Sequence, residues 1–285
     1  QIDKNLALIS NSKIEATSDI SIVGSIDGAS TLVLKTIGDV EVKGNIGSVS
    51  ALESVKANAK TIKVASITTT KDISLTATDS VEQNGTFTSA TGNIRVEAEN
   101  GSITMLQDTS SNVASAQAVN YRSDNDLVLM QINGGDVALT STSGAIKGAA
   151  VSGVHVVGNS ITLNAATGIN GVDASGNAEG LKVTGNKLEV NNTNNDVLLT
   201  TESRAQQQNT GALNLNGAVN VSGNLVIDTT SRLTIANKVV VSNNINVSVG
   251  KDTVTTGLDG LALTGEISSN QGSISLTVND LVDLR

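Results

Sequence analysis

The sequence has no cysteine, no proline and no tryptophan, and only one tyrosine and one phenylalanine in 285 residues. Each absence narrows the field. Without Cys the fold is held by no disulfide, which suits a secreted bacterial protein and equally suits many cytosolic ones. With aromatics this scarce, the core has to consist of many narrow layers of aliphatic side chains, because Phe and Trp normally fill wide interiors. No run of about 18 apolar residues is present, so no helical transmembrane segment is expected. Positive charge is also short. Lys and Arg total 18 against 27 Asp and Glu, a net charge of -9 with a pI near 4.6. That balance argues against nucleic acid as a partner, since phosphate binding relies on clustered basic residues. The chain opens at Gln1 without Met or a secretion signal, as expected of a mature or excised piece.

What the chain does contain is regular. Its 38% apolar content is carried almost wholly by Val, Ile, Leu and Ala, and glycine reaches 27. Disorder does not fit, because the β-branched residues are abundant and evenly placed. In residues 92–105, Ile94, Val96 and Ala98 alternate with Arg95, Glu97 and Glu99, then Asn100-Gly101 interrupts, then Ile103 and Met105 alternate again. Period-two alternation puts the apolar set on one strand face. Asn-Gly is expected to bend the chain because both residues tolerate φ > 0. Equivalent aliphatic-x-aliphatic cores start at Ile20, Val40, Ile62, Ile73, Val137, Ile161, Val197, Leu225, Ile245 and Ile274, many of them introduced by Gly, Asp, Asn or Ser.

Strands this short bury too little to stand as an ordinary sheet. Stacked as successive coils, each can pair in parallel with its counterpart one coil away. The expected fold is therefore all-β: a right-handed parallel β-helix, or β-solenoid, with about 20–24 residues per coil and about 13 coils. It forms a single elongated segment over residues 1–285. Residues 107–125 and 201–211 break the rhythm and are expected to be loop excursions. A β-sandwich is the competing fold, since Asn84-Gly85 and Asn133-Gly134 are hairpin-type dipeptides. Most strands lack a hairpin partner, which favours coils.

Reactive residues do not converge. His155 is the sole histidine, and alternation sets it opposite Val154 and Val156, on the solvent side. With no Cys and one His, no transition-metal site is expected. Gly134-Gly135-Asp136 is the nearest approach to a calcium-binding β-roll repeat, and it occurs once. No Gly-x-Ser-x-Gly elbow surrounds a serine. Glu97 and Glu99 could supply the paired carboxylates of a polysaccharide-cleaving β-helix, but aromatic platforms are missing. Glu41, Lys43 and Lys182 read as solvated outward positions. The expectation is no catalytic, cofactor-binding or metal residues, and no enzyme.

The units Gly92-Asn93-Ile94-Arg95-Val96, Gly135-Asp136-Val137-Ala138-Leu139, Gly158-Asn159-Ser160-Ile161-Thr162-Leu163 and Gly272-Ser273-Ile274-Ser275-Leu276 resemble filamentous-haemagglutinin-type repeats, a style shared by autotransporter passengers and other large repeat adhesins. The resemblance spans nearly all the chain. It implies a right-handed β-helix exported through an outer-membrane transporter of a Gram-negative bacterium, and a place at the cell surface as a stalk or adhesin. Flanking coils or neighbouring subunits would then cover the open ends, and a host-cell or glycan receptor would be the distal partner. The Asn-Pro-rich secretion domain of such proteins has no counterpart here, so the resemblance is to a central rod segment and transfers no functional residues. A carbohydrate-binding or polysaccharide-cleaving β-helix remains the alternative.

Overall fold

The strands predicted from the aliphatic spacing are present and pair at long range. A computed structural model describes residues 1–114, 116–151, 153–201, 213–215, 217–229, 232–250, 260–279 and 282–284. Among them the structure is all β, without helix, and its strands stack as parallel coils, about 10 turns in the two units taken together. The chain divides into two compact units, Gln1–Ala138 and Leu139–Arg285.

In the first unit each coil visits three columns of strands in turn. One column holds Ser12–Ala16, Thr31–Thr36, the start of Ser54–Val64, the start of Ile73–Gln83, Ile94–Ala98 and Ala118–Ser123. The second continues through Ile20, Val40, Ile62, Val81, Ile103 and Leu127, all in register. The third runs through Ile26, Ile46, Ile67, Phe87, Ser111 and Ile132. Because side chains alternate across a strand, each column points one aliphatic ladder inward and leaves the intervening residues outside. The two aromatics fit this narrow interior because small or polar residues make room. Phe87 stacks against Ser111 in the next coil. Tyr121 is buried with its hydroxyl 2.6 Å from Gln83 Oε1 and 2.7 Å from Ser111 Oγ. Burial pushes the Tyr121 phenol well above its ordinary range, although the Ser111 hydrogen bond pulls the other way.

The second unit repeats the plan with longer coils. Ile146, Ile169, Val197, Leu225, Ile245 and Ile274 form one inward ladder. Val190, Val219, Val239 and Ile267 form another, and Leu213, Leu233, Leu261 and Val282 are paired in register in the third column. The step from coil to coil is 18 to 25 residues in the first unit (Val55 to Ile73, Ile94 to Val119). In the second most steps are longer, up to 29 (Ile245 to Ile274), although Leu181 to Leu199 is 18. The longer coils lower the number of turns, which is about 10 where about 13 were expected. Residues 169–179 include the single antiparallel pairing found among the described residues, Gly171 with Glu179 and Val172 with Ala178. It closes through an Asp173–Asn177 turn, in which the Asp173 carboxylate accepts from the Ser175 and Asn177 amides at 2.8 and 2.9 Å.

The excursion expected at 107–125 contains two strands of the regular coil, Ser110–Val113 and Ala118–Ser123. Most of 201–211 lies outside the described residues. Asn84-Gly85 and Asn133-Gly134 do not make hairpins. Asn84 follows a strand and Asn133 ends one, and both strands pair in parallel.

The corners work differently from the expected local bend. Asp and Asn before the strands do accept backbone hydrogen bonds, but from the next coil. Asp19 Oδ1 accepts from the Asp39 amide at 2.9 Å, Asp72 Oδ1 from Asn93 at 2.7 Å, and Asn93 Oδ1 from Ala118 at 2.8 Å. In the second unit Asp196, Asn224 and Asn244 each pass one bond on, at 2.8, 3.0 and 3.0 Å, ending on the Ser273 amide. The glycines beside them are required by crowding. A Cβ on Gly92 would overlap the backbone of Lys71 and Asp72, one on Gly223 that of Asn195, and one on Gly272 that of Asn243. None of these three has a positive φ. Nor does Gly101, whose Cβ would strike the Asp79 carbonyl.

Candidate binding face

The first strand column of the Gln1–Ala138 unit turns two rows of side chains outward. One row runs Lys13, Val33, Lys56, Ser74, Arg95, Asn120. Beside it run Glu15, Lys35, Asn58, Thr76, Glu97 and Arg122. Neighbouring coils are about 4.8 Å apart, so the rows are dense. Lys13, Lys35, Lys56, Arg95 and Arg122 stand against Glu15 and Glu97 alone. This face is cationic in a chain whose net charge is -9.

The two carboxylates are shared among the cations. Glu15 pairs with Lys13 and, at 3.2 Å, with Lys35. Glu97 is reached by Arg95 Nη2 at 2.7 Å and Arg122 Nη1 at 2.9 Å. The Arg95 hydrogen bond, supported by that of Arg122, holds the Glu97 carboxyl below the usual carboxylate range despite partial burial. The Lys13 and Lys35 contacts do the same for Glu15. A general acid needs the opposite shift. Glu97 also lies within its strand, while Glu99 is exposed beyond the strand's end. What the face offers is a ladder of exposed cations interleaved with Ser74, Thr76, Asn58 and Asn120.

Two residues read as solvent-facing are buried. His155 has no exposed surface, and Lys182 is 7% exposed. The strand begins only at Val156, so alternation does not govern position 155. The imidazole fills space left by Gly148 and Gly171, which lie in register on adjacent coils. Lys182 lies under Glu179 and the Val151 carbonyl, whose oxygens are 3.2 and 3.5 Å from Nζ. The outward face at this coil is covered by chain, which a two-residue period cannot reveal. Glu41 and Lys43 do face outward, 3.5 Å apart.

Among the described residues no group of three or more His, Cys, Asp or Glu is placed to hold a metal ion. No helix is long and apolar enough to cross a membrane. The chain matches no known family model, no curated protein and no solved structure.

Proposed function

We propose that the chain is a structural rod segment of an extracellular fibre or surface adhesin of a Gram-negative bacterium, projecting a distal binding or effector region. The observation that carries this reading is where the sequence places its polar side chains. Corner carboxylates and carboxamides are spent on the next coil, from Asp19 to Asp39 and from Asp196 through Asn244 to Ser273. Such bonds serve stacking, and stacking is what a stalk needs. Export through an outer-membrane transporter belongs to the same reading. So does an occupant for the last coil, where Ile274 and Leu276 are 44% and 39% exposed while their counterparts Ile245 and Val247 are 1% and 3% exposed. A flanking coil or a neighbouring subunit covers them, so end-to-end association is expected.

On this reading the chain is not an enzyme, and incubation with neutral and acidic polysaccharides releases no reducing ends. Solution scattering of the purified chain tests the reading directly. An elongated particle is expected, and a compact one overturns it. In the native bacterium the segment is expected to be cleaved by protease added to intact cells; protection until lysis overturns the surface assignment.

The cationic rows favour a second role on the same scaffold, binding a linear acidic polysaccharide along the first unit. Its repeating negative groups would meet Lys35, Lys56 and Arg95 along the coil axis, in a salt-dependent contact. Retention on a sulfated-polysaccharide matrix that falls with salt and with Lys56→Glu supports it. Retention indifferent to both refutes it.

A further inference from the structure

In the second unit, His155 is fully enclosed, and its amide and both ring nitrogens are engaged. Its amide donates to the Lys182 carbonyl at 2.9 Å. Its Nδ1 accepts the Lys182 amide at 3.0 Å, and its Nε2 lies 2.6 Å from the Ala149 carbonyl. An amide can only donate and a carbonyl can only accept, so the ring is neutral with its proton on Nε2. A second proton has nowhere to go. On Nδ1 it would confront the Lys182 N–H and place an imidazolium beside a residue whose own buried ammonium already pairs with Glu179. The other titratable groups on the elements packed around the ring are Lys147 beside Gly148, Asp173 and Glu179 on the hairpin, and Lys187 and Glu189 further along Leu181–Asn192.

We propose that His155 is an acid-sensitive latch. Uptake of a proton from solvent at Nδ1 expels the ring from its slot between Gly148 and Gly171. Residues 149–151 and 153–155 then open together with the hairpin at 169–179, because the first lose the Ala149 and Lys182 bonds and the second rests on Lys182 through Glu179. The coils built on Leu225–Thr229 and Ile245–Val249 stay stacked. The closed ring refuses the proton, and an opened, solvated imidazole takes it near pH 6.5. Closure is therefore fully favoured above that value and is lost as pH falls below it. The opening equilibrium grows about tenfold per pH unit below about 6.5, or about 25-fold between pH 7 and pH 5.

The chain's single histidine makes the test direct. With nitrogen-15 histidine, the spectrum at neutral pH is expected to show a neutral ring protonated on Nε2. Hydrogen exchange of peptides from 149–182, corrected for intrinsic rates, is expected to rise about 25-fold between pH 7 and pH 5. Peptides from 225–249 are expected to be unchanged. His155→Gln is expected to remove this pH dependence while keeping the β circular dichroism signal. A ring that titrates near pH 6.5 with no rise in exchange overturns the proposal. So does pH-independent exchange in the wild-type chain, or the same pH response in His155→Gln, which would assign the effect to the hairpin carboxylates. If the variant does not fold, the two wild-type measurements decide the matter.

Discussion

Gly92 and Gly176 are both corner or turn glycines, and the structure gives them opposite reasons for being glycine. Gly92 has no positive φ, and the space where its Cβ would go is occupied by the Lys71 and Asp72 backbone of the preceding coil. Gly176 has φ of +80° with nothing within 4 Å of an added Cβ. Substitution with Ala at 92 therefore overpacks two coils, at a cost of about 1–3 kcal/mol, less about 0.4–1 kcal/mol recovered by stiffening the unfolded chain. At 176 the cost is the left-handed backbone alone, about 1–2 kcal/mol. The second substitution separates them. Asn tolerates the left-handed region, so Gly176→Asn is expected to be milder than Gly176→Ala. Asn is larger than Ala, so Gly92→Asn is expected to be at least as damaging as Gly92→Ala. Urea unfolding midpoints rank the four variants. Hydrogen exchange locates the damage, which at 92 should fall on both sides of the coil contact, at Ile73 and Asn93, whose amide and carbonyl bond across it at 3.0 Å. A neutral or stabilising Gly92→Ala, or an Asn that rescues position 92, refutes the argument from coil spacing.

Three further outcomes follow from the same geometry. Asn224→Ala removes the middle rung between Asp196 and Asn244, and about 1–2 kcal/mol of second-unit stability is expected to go with it, read from denaturant midpoints. Tyr121→Phe strips the buried Gln83 and Ser111 of a partner, for an expected loss of about 1–3 kcal/mol. Because burial raises the Tyr121 phenol, its stability contribution is present below about pH 10 and is lost as pH rises beyond it. Absorbance of this lone tyrosine should thus show phenolate only as the first unit unfolds. Glu97, held below the usual carboxylate range by Arg95 and then Arg122, contributes stability above about pH 4 that disappears as pH falls through its depressed value. Glu97→Gln should flatten that part of the acid unfolding curve, and by releasing both arginines it should strengthen retention on the sulfated matrix.

The columns that were legible in the sequence are those whose two inward positions are both aliphatic. Ile94 and Val96 pair with Ile73 and Leu75 on one side and with Val119 and Tyr121 on the other, at the spacing of about twenty residues expected for coils. The third column of the first unit was hidden by its chemistry. In Ile67–Thr69 and Phe87–Ser89 the second inward residue is a hydroxyl, buried at 1% and 2% exposure. Thr69 Oγ1 and Ser89 Oγ both donate to the Lys71 carbonyl at 2.6 Å, so each satisfies a corner where an aliphatic residue would leave it bare. A rule that looks for aliphatic-x-aliphatic steps over such strands. Residues 92–105 show the complementary limit. The glycines were visible, but their cause was misassigned, because crowding from a coil about twenty residues back leaves no local trace.

The same non-local logic separates what could be read of the candidate sites. Lys13, Lys35, Lys56, Arg95 and Arg122 are individually ordinary outward positions, and nothing in their own neighbourhoods marks them as a set. They become one face only when register places Lys56 over Val33 and under Ser74, and Glu97 over Thr76 and under Arg122. Position 182 fails for the converse reason. Alternation puts Lys182 outside correctly, yet outside is not solvent there, because Glu179 of the hairpin and the Val151 carbonyl lie over it. In a solenoid the inward face is therefore legible one strand at a time. The outward face, which carries any binding, is a property of stacked coils and of whatever excursion covers them.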